Sequence, residues 1–300
     1  MTSDGVVVMA YGTARGLDDV ERYYTDIRHG RPPSPEALAE LTERYRAIGG
    51  SPLYETTVAQ ARGIEDRLGG VKVYLGQKHS PPFVADAIRH MHDDEVERAV
   101  GFVLAPHFSA MSIGDYERRA RIAAEQIGWT GTFEMVTSWH VEPGFISWTA
   151  RSLKEAIERL GVDEPLVVFS AHSLPERILQ KKDPYPDQLR ETAEVVAAEA
   201  GVSRWQIAWQ SAGRTGEAWL GPDIVEVVEE AAAAGEPGLV LAPVGFVADH
   251  LEVLYDVDIE ARQRADDLGL ALERIAMPND DPEFLDVLAG IVARGLARSA

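Results

Sequence analysis

Short apolar runs separated by longer helical stretches constrain this chain more than any other feature. Val6–Met9, Val71–Leu75, Ala99–Leu104 and Phe133–Thr137 lie in the first half, and Leu166–Phe169, Gln206–Trp209, Leu239–Ala242 and Ala271–Ile275 in the second. Continuous Val/Leu/Ile runs flanked by helices mark strands buried on both faces, the condition of a parallel sheet. Pro35–Ile48, Thr57–Leu68, Ile113–Gln126 and Asp187–Ala200 read as the crossover helices.

The two halves echo one another. Gly101-Phe102-Val103-Leu104-Ala105-Pro106 matches Gly238-Leu239-Val240-Leu241-Ala242-Pro243, and the third-to-fourth strand spacing is about the same in both. The expected fold class is α/β, with two similar Rossmann-like domains, each a four-stranded parallel sheet flanked by helices. Residues 1–150 would form the first and 151–300 the second. The last helical stretch, Pro282–Arg298, runs past the fourth strand of its own half and is expected to pack back onto the first domain.

Open α/β sheets bind ligands outside the carboxyl ends of their strands. The segments to inspect are Ala10-Tyr11-Gly12-Thr13, Pro106-His107-Phe108-Ser109, Ser170-Ala171-His172-Ser173 and the stretch Pro243–Glu260. They are expected to converge on a cleft between the domains. In Pro243–Glu260 the pattern turns helical and sets Glu252, Asp256 and Glu260 four apart, so each is turned by about 40° from the last on an α-helix. Like charges on one exposed helix face cost roughly 0.2–0.5 kcal/mol per pair, and a divalent cation would offset that.

His172, just beyond an apolar run, can act as ligand or base; the plainer reading is a ring bonded to a nearby carbonyl. Glu252, from the equivalent edge of the same half, favours the functional reading. His250 points to a different helix face from Glu252, while His107 and the pair Lys78-His79 are further candidates with structural roles as the alternative. Ser170 and Ser173 read as turn or cap residues, since no G-x-S-x-G occurs. No G-x-G-x-x-G, P-loop or H-E-x-x-H motif occurs either. One histidine with carboxylates suits a labile, transferable cation better than a permanent zinc.

The formal charge of −20 (29 − 49) argues against nucleic acid or anionic lipid as a main partner and favours attraction of cations, although most of it reads as solvated surface. There is no cysteine, which excludes thiolate zinc sites and cysteine-ligated iron–sulfur clusters. The N-terminal residues do not read as a signal peptide, and no window approaches a transmembrane span, so a cytoplasmic protein is expected. Basic clusters, Ile27-Arg28-His29-Gly30-Arg31 and Glu43-Arg44-Tyr45-Arg46, stand out in an acidic chain. With Tyr11, Tyr45, Tyr116 and Trp219 they could hold a flat ligand carrying acidic groups. Solvated helix surface and core packing are the alternatives.

Several motifs, in order, carry a resemblance. They are Met9-Ala10-Tyr11-Gly12-Thr13, Tyr45-Arg46-Ala47-Ile48-Gly49-Gly50-Ser51-Pro52-Leu53, Ser170-Ala171-His172-Ser173-Leu174-Pro175, Trp209-Gln210-Ser211-Ala212-Gly213-Arg214-Thr215, Trp219-Leu220-Gly221-Pro222-Asp223 and Gly245-Phe246-Val247-Ala248-Asp249-His250-Leu251-Glu252. Nearly end to end, the chain resembles a ferrochelatase of the class II chelatase type, and within that family the soluble enzymes of Gram-positive bacteria. The resemblance implies a lyase of haem biosynthesis, with coproporphyrin III and Fe²⁺ as substrates, Fe-coproporphyrin III as product and no permanent cofactor. It also implies a monomer with transient contacts to neighbouring haem-pathway enzymes.

By the same resemblance, His172 and Glu252 receive iron and accept the pyrrole protons, and Asp256 and Glu260 feed metal toward them. Tyr11 is the axial ligand of the product iron. Arg28, Arg44, Tyr45, Ser51 and Tyr116 contact the porphyrin and its carboxylates, and Trp219 lines the site. His29 stands where relatives often carry a second arginine, so carboxylate gripping would be weaker or pH-dependent there. Three rival readings stay open at this point: protoporphyrin IX as substrate, another tetrapyrrole chelatase inserting cobalt or nickel, and a non-enzymatic tetrapyrrole carrier.

Overall fold

A computed structural model of the chain describes residues 3–213 and 215–298; Arg214 of the quoted motif lies outside the described residues. The chain divides into two units. The first comprises residues 1–139, 248–250 and 279–300, and the second 140–247 and 251–278.

In the first unit β1 (Asp4–Ala10) is followed by α1 (Val20–Ile27), α2 (Pro35–Ala47) and α3 (Leu53–Arg67). Then come β2 (Lys72–Gln77), α4 (Val84–Asp93), β3 (Arg98–Val103), α5 (Ile113–Gln126) and β4 (Thr132–Val136). The second holds α6 (Pro143–Leu160), β5 (Leu166–His172), α7 (Arg177–Gln180), α8 (Tyr185–Ala200), β6 (Trp205–Gln210), α9 (Ile224–Ala234) and β7 (Leu239–Ala242). A π-helix (Glu252–Ala261), α10 (Arg262–Leu268) and β8 (Leu272–Arg274) complete it. The final helix, α11 (Pro282–Arg298), belongs to the first unit, where it packs on α3, β3 and β4.

Both sheets are wholly parallel and share one topology, β2-β1-β3-β4 and β6-β5-β7-β8. Val6, Val7, Val8 and Met9 are entirely buried, as are Val167, Val168 and Phe169, which is why these strands show no polar alternation. Winding reverses direction between β1 and β3, and again between β5 and β7, and the carboxyl ends of those strands are where such sheets form a crevice. Tyr11 leaves β1 at one of these points, and His172 ends β5 at the other.

Each second strand ends in a glutamine with no accessible surface, Gln77 in β2 and Gln210 in β6. Gln77 lies opposite Ala10, and Gln210 opposite His172. Each amide oxygen accepts a serine hydroxyl, from Ser80 at 2.7 Å and Ser170 at 2.9 Å.

Two local findings depart from the sequence reading. The strand expected to end at Phe169 continues to His172, because pairing with β6 persists to His172–Gln210 and Ser173 N–H then donates to Gln210 O at 2.8 Å. The acidic segment expected to be α-helical is a π-helix, with Arg262 N–H reaching back five residues to Val257 O. Val253, Val257, Ala261 and Ala265 are fully buried at steps of four, a spacing that either helix type satisfies. In the wider winding a step of four falls slightly short of a turn, where in an α-helix it slightly overshoots. Glu252, Asp256 and Glu260 therefore still share a side, drifting in the opposite sense.

Candidate metal centre

The chain after β7 folds back across the end of β5. Gly245 N–H donates to Ser170 O at 3.0 Å, and a Cβ on Gly245 would stand 2.5 Å from Ala171 Cβ. Only glycine permits that approach. The return brings Glu252, the first π-helical residue, against His172, with His172 Nδ1 2.9 Å from Glu252 Oε2. An ionised carboxylate only accepts, so the hydrogen sits on Nδ1 and the Nε2 lone pair of neutral His172 is left for a metal or a proton. Both side chains keep some accessible surface, 34% for His172 and 27% for Glu252.

Burial pushes the His172 pKa down, but the Glu252 carboxylate and the more distant Asp256 outweigh it, and the net shift is upward. Tyr185 donates its hydroxyl to His172 O at 3.0 Å, and Trp219 meets the imidazole edge-on at 6.4 Å between centroids. The Tyr185 phenol is held above its ordinary range by burial and by the Glu252 charge, so it stays a neutral donor. Trp219 Nε1 donates to Thr215 Oγ1 at 2.8 Å, which fixes the indole.

Asp256 is buried at 5% exposure, and the Ser211 hydroxyl donates to its carboxylate. Glu260 is exposed. Its charge reaches Asp223, the N-cap of α9, whose pKa is raised by burial first and by Glu226 and Glu260 after it. Among the described residues no group of three or more His, Asp or Glu is arranged to enclose a metal ion. The pair offers two donor side chains, fewer than a closed tetrahedral site uses, and in this arrangement Glu252 is engaged at Nδ1 while Nε2 faces away from it.

In the first unit Tyr11 is 41% exposed and meets His79 at a tilt of 59°, 4.7 Å between centroids. The Lys78 ammonium lies 6.0 Å from the Tyr11 ring and 5.2 Å from the Tyr116 ring. It is held by Asp115 at 2.8 Å, and Arg118 and Arg119 pair with the same carboxylate. Burial lowers the Lys78 pKa against the opposing Asp115 charge. Burial also depresses His79 to about 4, despite Asp26 at 2.7 Å from Nδ1, so that ring is neutral near neutrality. A cavity of about 240 Å³ opens nearby, lined in part by Thr13, Arg15, Arg22, Asp26, His79 and Ser80.

Other expected residues are placed less centrally. Tyr45 is 1% exposed, its hydroxyl 2.9 Å from Thr13 Oγ1 and accepting Ala14 N–H at 3.3 Å, so it packs beneath the loop after β1. Tyr116 is also buried. Arg28 lies over the Tyr24 ring at 5.7 Å, Arg44 pairs with Glu40 at 3.3 Å, and Ser51 Oγ accepts Leu53 N–H at 3.4 Å near the start of α3. His250 Nδ1 lies 2.9 Å from Ala248 O, the local backbone contact that competes with ligand duty. Gln210, Tyr185 and Asp115 were not singled out by sequence reasoning. Only Gln210 fell within a quoted motif.

The family model described as Ferrochelatase matches residues 3–296. The coproporphyrin III ferrochelatase of Geobacillus sp. (strain WCH70) is 47% identical over 301 residues, covering 97% of this chain and 97% of the relative. That of Bacillus subtilis (strain 168) is 46% identical over 305 residues, with 98% of each covered. Among solved structures, the sirohydrochlorin chelatase SirB from Bacillus subtilis subspecies spizizenii, in complex with cobalt, superposes with a TM-score of 0.63 at 9% identity. That match covers 98% of this chain and 95% of SirB. CbiX, described as the terminal enzyme of sirohaem biosynthesis in denitrifying bacteria, gives 0.55 at 14%, covering 97% and 98%. At those identities the two solved structures speak to the fold alone.

Proposed function

The chain belongs to the ferrochelatase family, and from that premise we propose that it inserts Fe²⁺ into coproporphyrin III, giving Fe-coproporphyrin III in haem biosynthesis. The observation that carries the mechanism is the His172–Glu252 pair, in which a carboxylate holds Nδ1–H and leaves Nε2 as a lone pair. Metallation releases two protons as two Fe–N bonds replace two N–H bonds. His172 Nε2 accepts one pyrrole proton and the Glu252 carboxylate stabilises the imidazolium that forms; the second proton is taken or relayed to solvent by Glu252, which also helps strip water from incoming Fe²⁺. Binding energy from the remote carboxylates of the ring would distort the macrocycle and expose its nitrogens.

Tyr11 is proposed as axial ligand of the product iron. Arg28, Arg44 and Ser51 are proposed to hold carboxylates, with Tyr45 and Tyr116 shaping that face and Trp219 lining the site. The first unit is proposed to contact the porphyrin and the second to hold the metal-site pair; the boundary expected at 150 falls inside α6, and the second unit begins at residue 140. The chain has no cysteine, so it carries no cysteine-ligated iron–sulfur cluster, and no described helix is long and apolar enough to cross a membrane. The proposal has no resident cofactor, and it places a monomer in the cytoplasm that passes product on through transient contacts.

The test is anaerobic Fe²⁺ insertion, followed by loss of free-porphyrin absorbance, with coproporphyrin III and protoporphyrin IX compared. Coproporphyrin III carries more carboxylates, and its kcat/KM is expected to be higher by about tenfold or more, the worth of one charge-assisted contact. Equal or reversed preference overturns the substrate assignment, and no catalysed loss with either overturns the enzyme.

Asp256 and Glu260 are proposed to supply metal to Glu252. Glu260→Gln removes one exposed charge and is expected to raise KM for Fe²⁺ by about twofold to fivefold at low salt with kcat unchanged. An unchanged Fe²⁺ dependence removes Glu260 from the path.

A further inference from the structure

We propose that Gln210 and Ser211 are positioning residues for metal insertion: side by side at the end of β6, they hold Glu252 and Asp256 in the wide π register that keeps the Glu252 carboxylate on His172. The proposal rests on the reading of His172 and Glu252 as the insertion centre. Gln210 has no accessible surface and uses both ends of its amide. Its Oε1 accepts the Ser170 hydroxyl at 2.9 Å, and its Nε2 donates to the backbone oxygen of Glu252 at 2.8 Å. Its own backbone oxygen accepts Ser173 N–H at 2.8 Å. One side chain therefore ties β5, two residues before His172, to the residue that begins the π-helix.

The second tie depends on a backbone anomaly. Successive strand residues point to opposite faces, so Gln210 and Ser211 should not reach the same helix. Ser211 has φ +61°, in the left-handed region that favours glycine. That turn takes its hydroxyl to the carboxylate of Asp256, four residues beyond the carbonyl gripped by Gln210. A non-glycine residue is strained there, and such strain concentrates at functional sites.

The two ties also bear on the helix type. A side-chain donor on a helix carbonyl competes with the i→i−4 ladder of an α-helix, and Nε2 of Gln210 occupies the first carbonyl of this one. Rewinding to α would rotate Asp256 relative to Glu252 and pull one of the two from its partner.

The experiment is steady-state kinetics of Gln210→Met, which keeps the volume and loses both amide bonds. Partners that orient metal ligands typically contribute 10–100-fold, so kcat/KM for Fe²⁺ is expected to fall by about that factor with KM for coproporphyrin III within about twofold of wild type. A folded Gln210→Met protein with wild-type Fe²⁺ dependence overturns the proposal, as does a loss shared equally by the porphyrin KM. Should that variant not fold, Gln210→Glu carries the same test. It can still accept from Ser170 but as a carboxylate cannot donate to Glu252, and wild-type kinetics there overturn the proposal too. Ser211→Gly relieves the backbone while deleting the hydroxyl; the same selective Fe²⁺ defect, smaller in size, is expected, and its absence removes Ser211 from the pair. An active His172→Ala protein would sink the reading of the centre itself. An inactive one beside an unimpaired Gln210→Met sinks only the positioning claim.

Discussion

Replacing His172 with Ala is expected to lower the rate of iron insertion by a factor on the order of 10²–10⁴, the usual worth of a positioned general base. The argument is geometric. The Nδ1–H of His172 is committed to Glu252, Tyr185 holds the His172 carbonyl, and Trp219 flanks the ring, so Nε2 is presented in one orientation. Alanine removes both the lone pair and the acceptor for the pyrrole proton. Porphyrin binding does not depend on that lone pair, so quenching of porphyrin fluorescence on titration should stay near wild type. A His172→Ala enzyme turning over within about tenfold of wild type would mean that protons leave by another route, and the assignment would fail.

Glu252→Gln carries the second large effect, and its signature lies in the pH profile. On the proposed mechanism neutral His172 is the active form, so kcat/KM should rise with pH through the pKa of that residue. In the wild type that pKa is raised: burial opposes the charge, and the Glu252 carboxylate more than compensates. Gln keeps the shape and can still accept Nδ1–H but brings no charge. Burial then dominates and the acid limb moves to lower pH, while the plateau falls by roughly 10–100-fold for want of the carboxylate at the metal. His79 cannot produce a limb near neutrality, because burial holds it at about 4. An acid limb unmoved by Glu252→Gln would assign it to some other group, and an undiminished plateau would remove Glu252 from the chemistry.

The strands were legible because buried parallel strands leave uninterrupted apolar runs, and Leu239–Ala242 needed no structure to be placed. Helices with distinct ends were equally plain: Ile113–Gln126 and Pro282–Arg298 match the sequence reading. The pairing of His172 with Glu252 followed from strand ends at equivalent edges. Two things were not legible. The π winding leaves the same four-residue apolar spacing as an α-helix, so Val253, Val257 and Ala261 could not announce it. The buried Gln210 and the half-buried Ser211 and Asp115 have no periodic signature, since the partners Glu252, Asp256 and Lys78 are distant in sequence. Tyr45 shows the converse: its motif drew attention to it, yet the hydroxyl is used inside the fold, holding the loop that follows β1.

The glutamines ending β2 and β6 have a wider meaning. The two halves keep the same residue type at the same node, beside the strand that carries Tyr11 in one and His172 in the other. Beside one node stands a phenol near an ammonium, and beside the other an imidazole on a carboxylate. The node behaves as a socket, indifferent to the group mounted beside it. The halves therefore carry different chemistry on the same sheet plan. A reactive group transplanted onto this scaffold should be seated first at position 11 or 172.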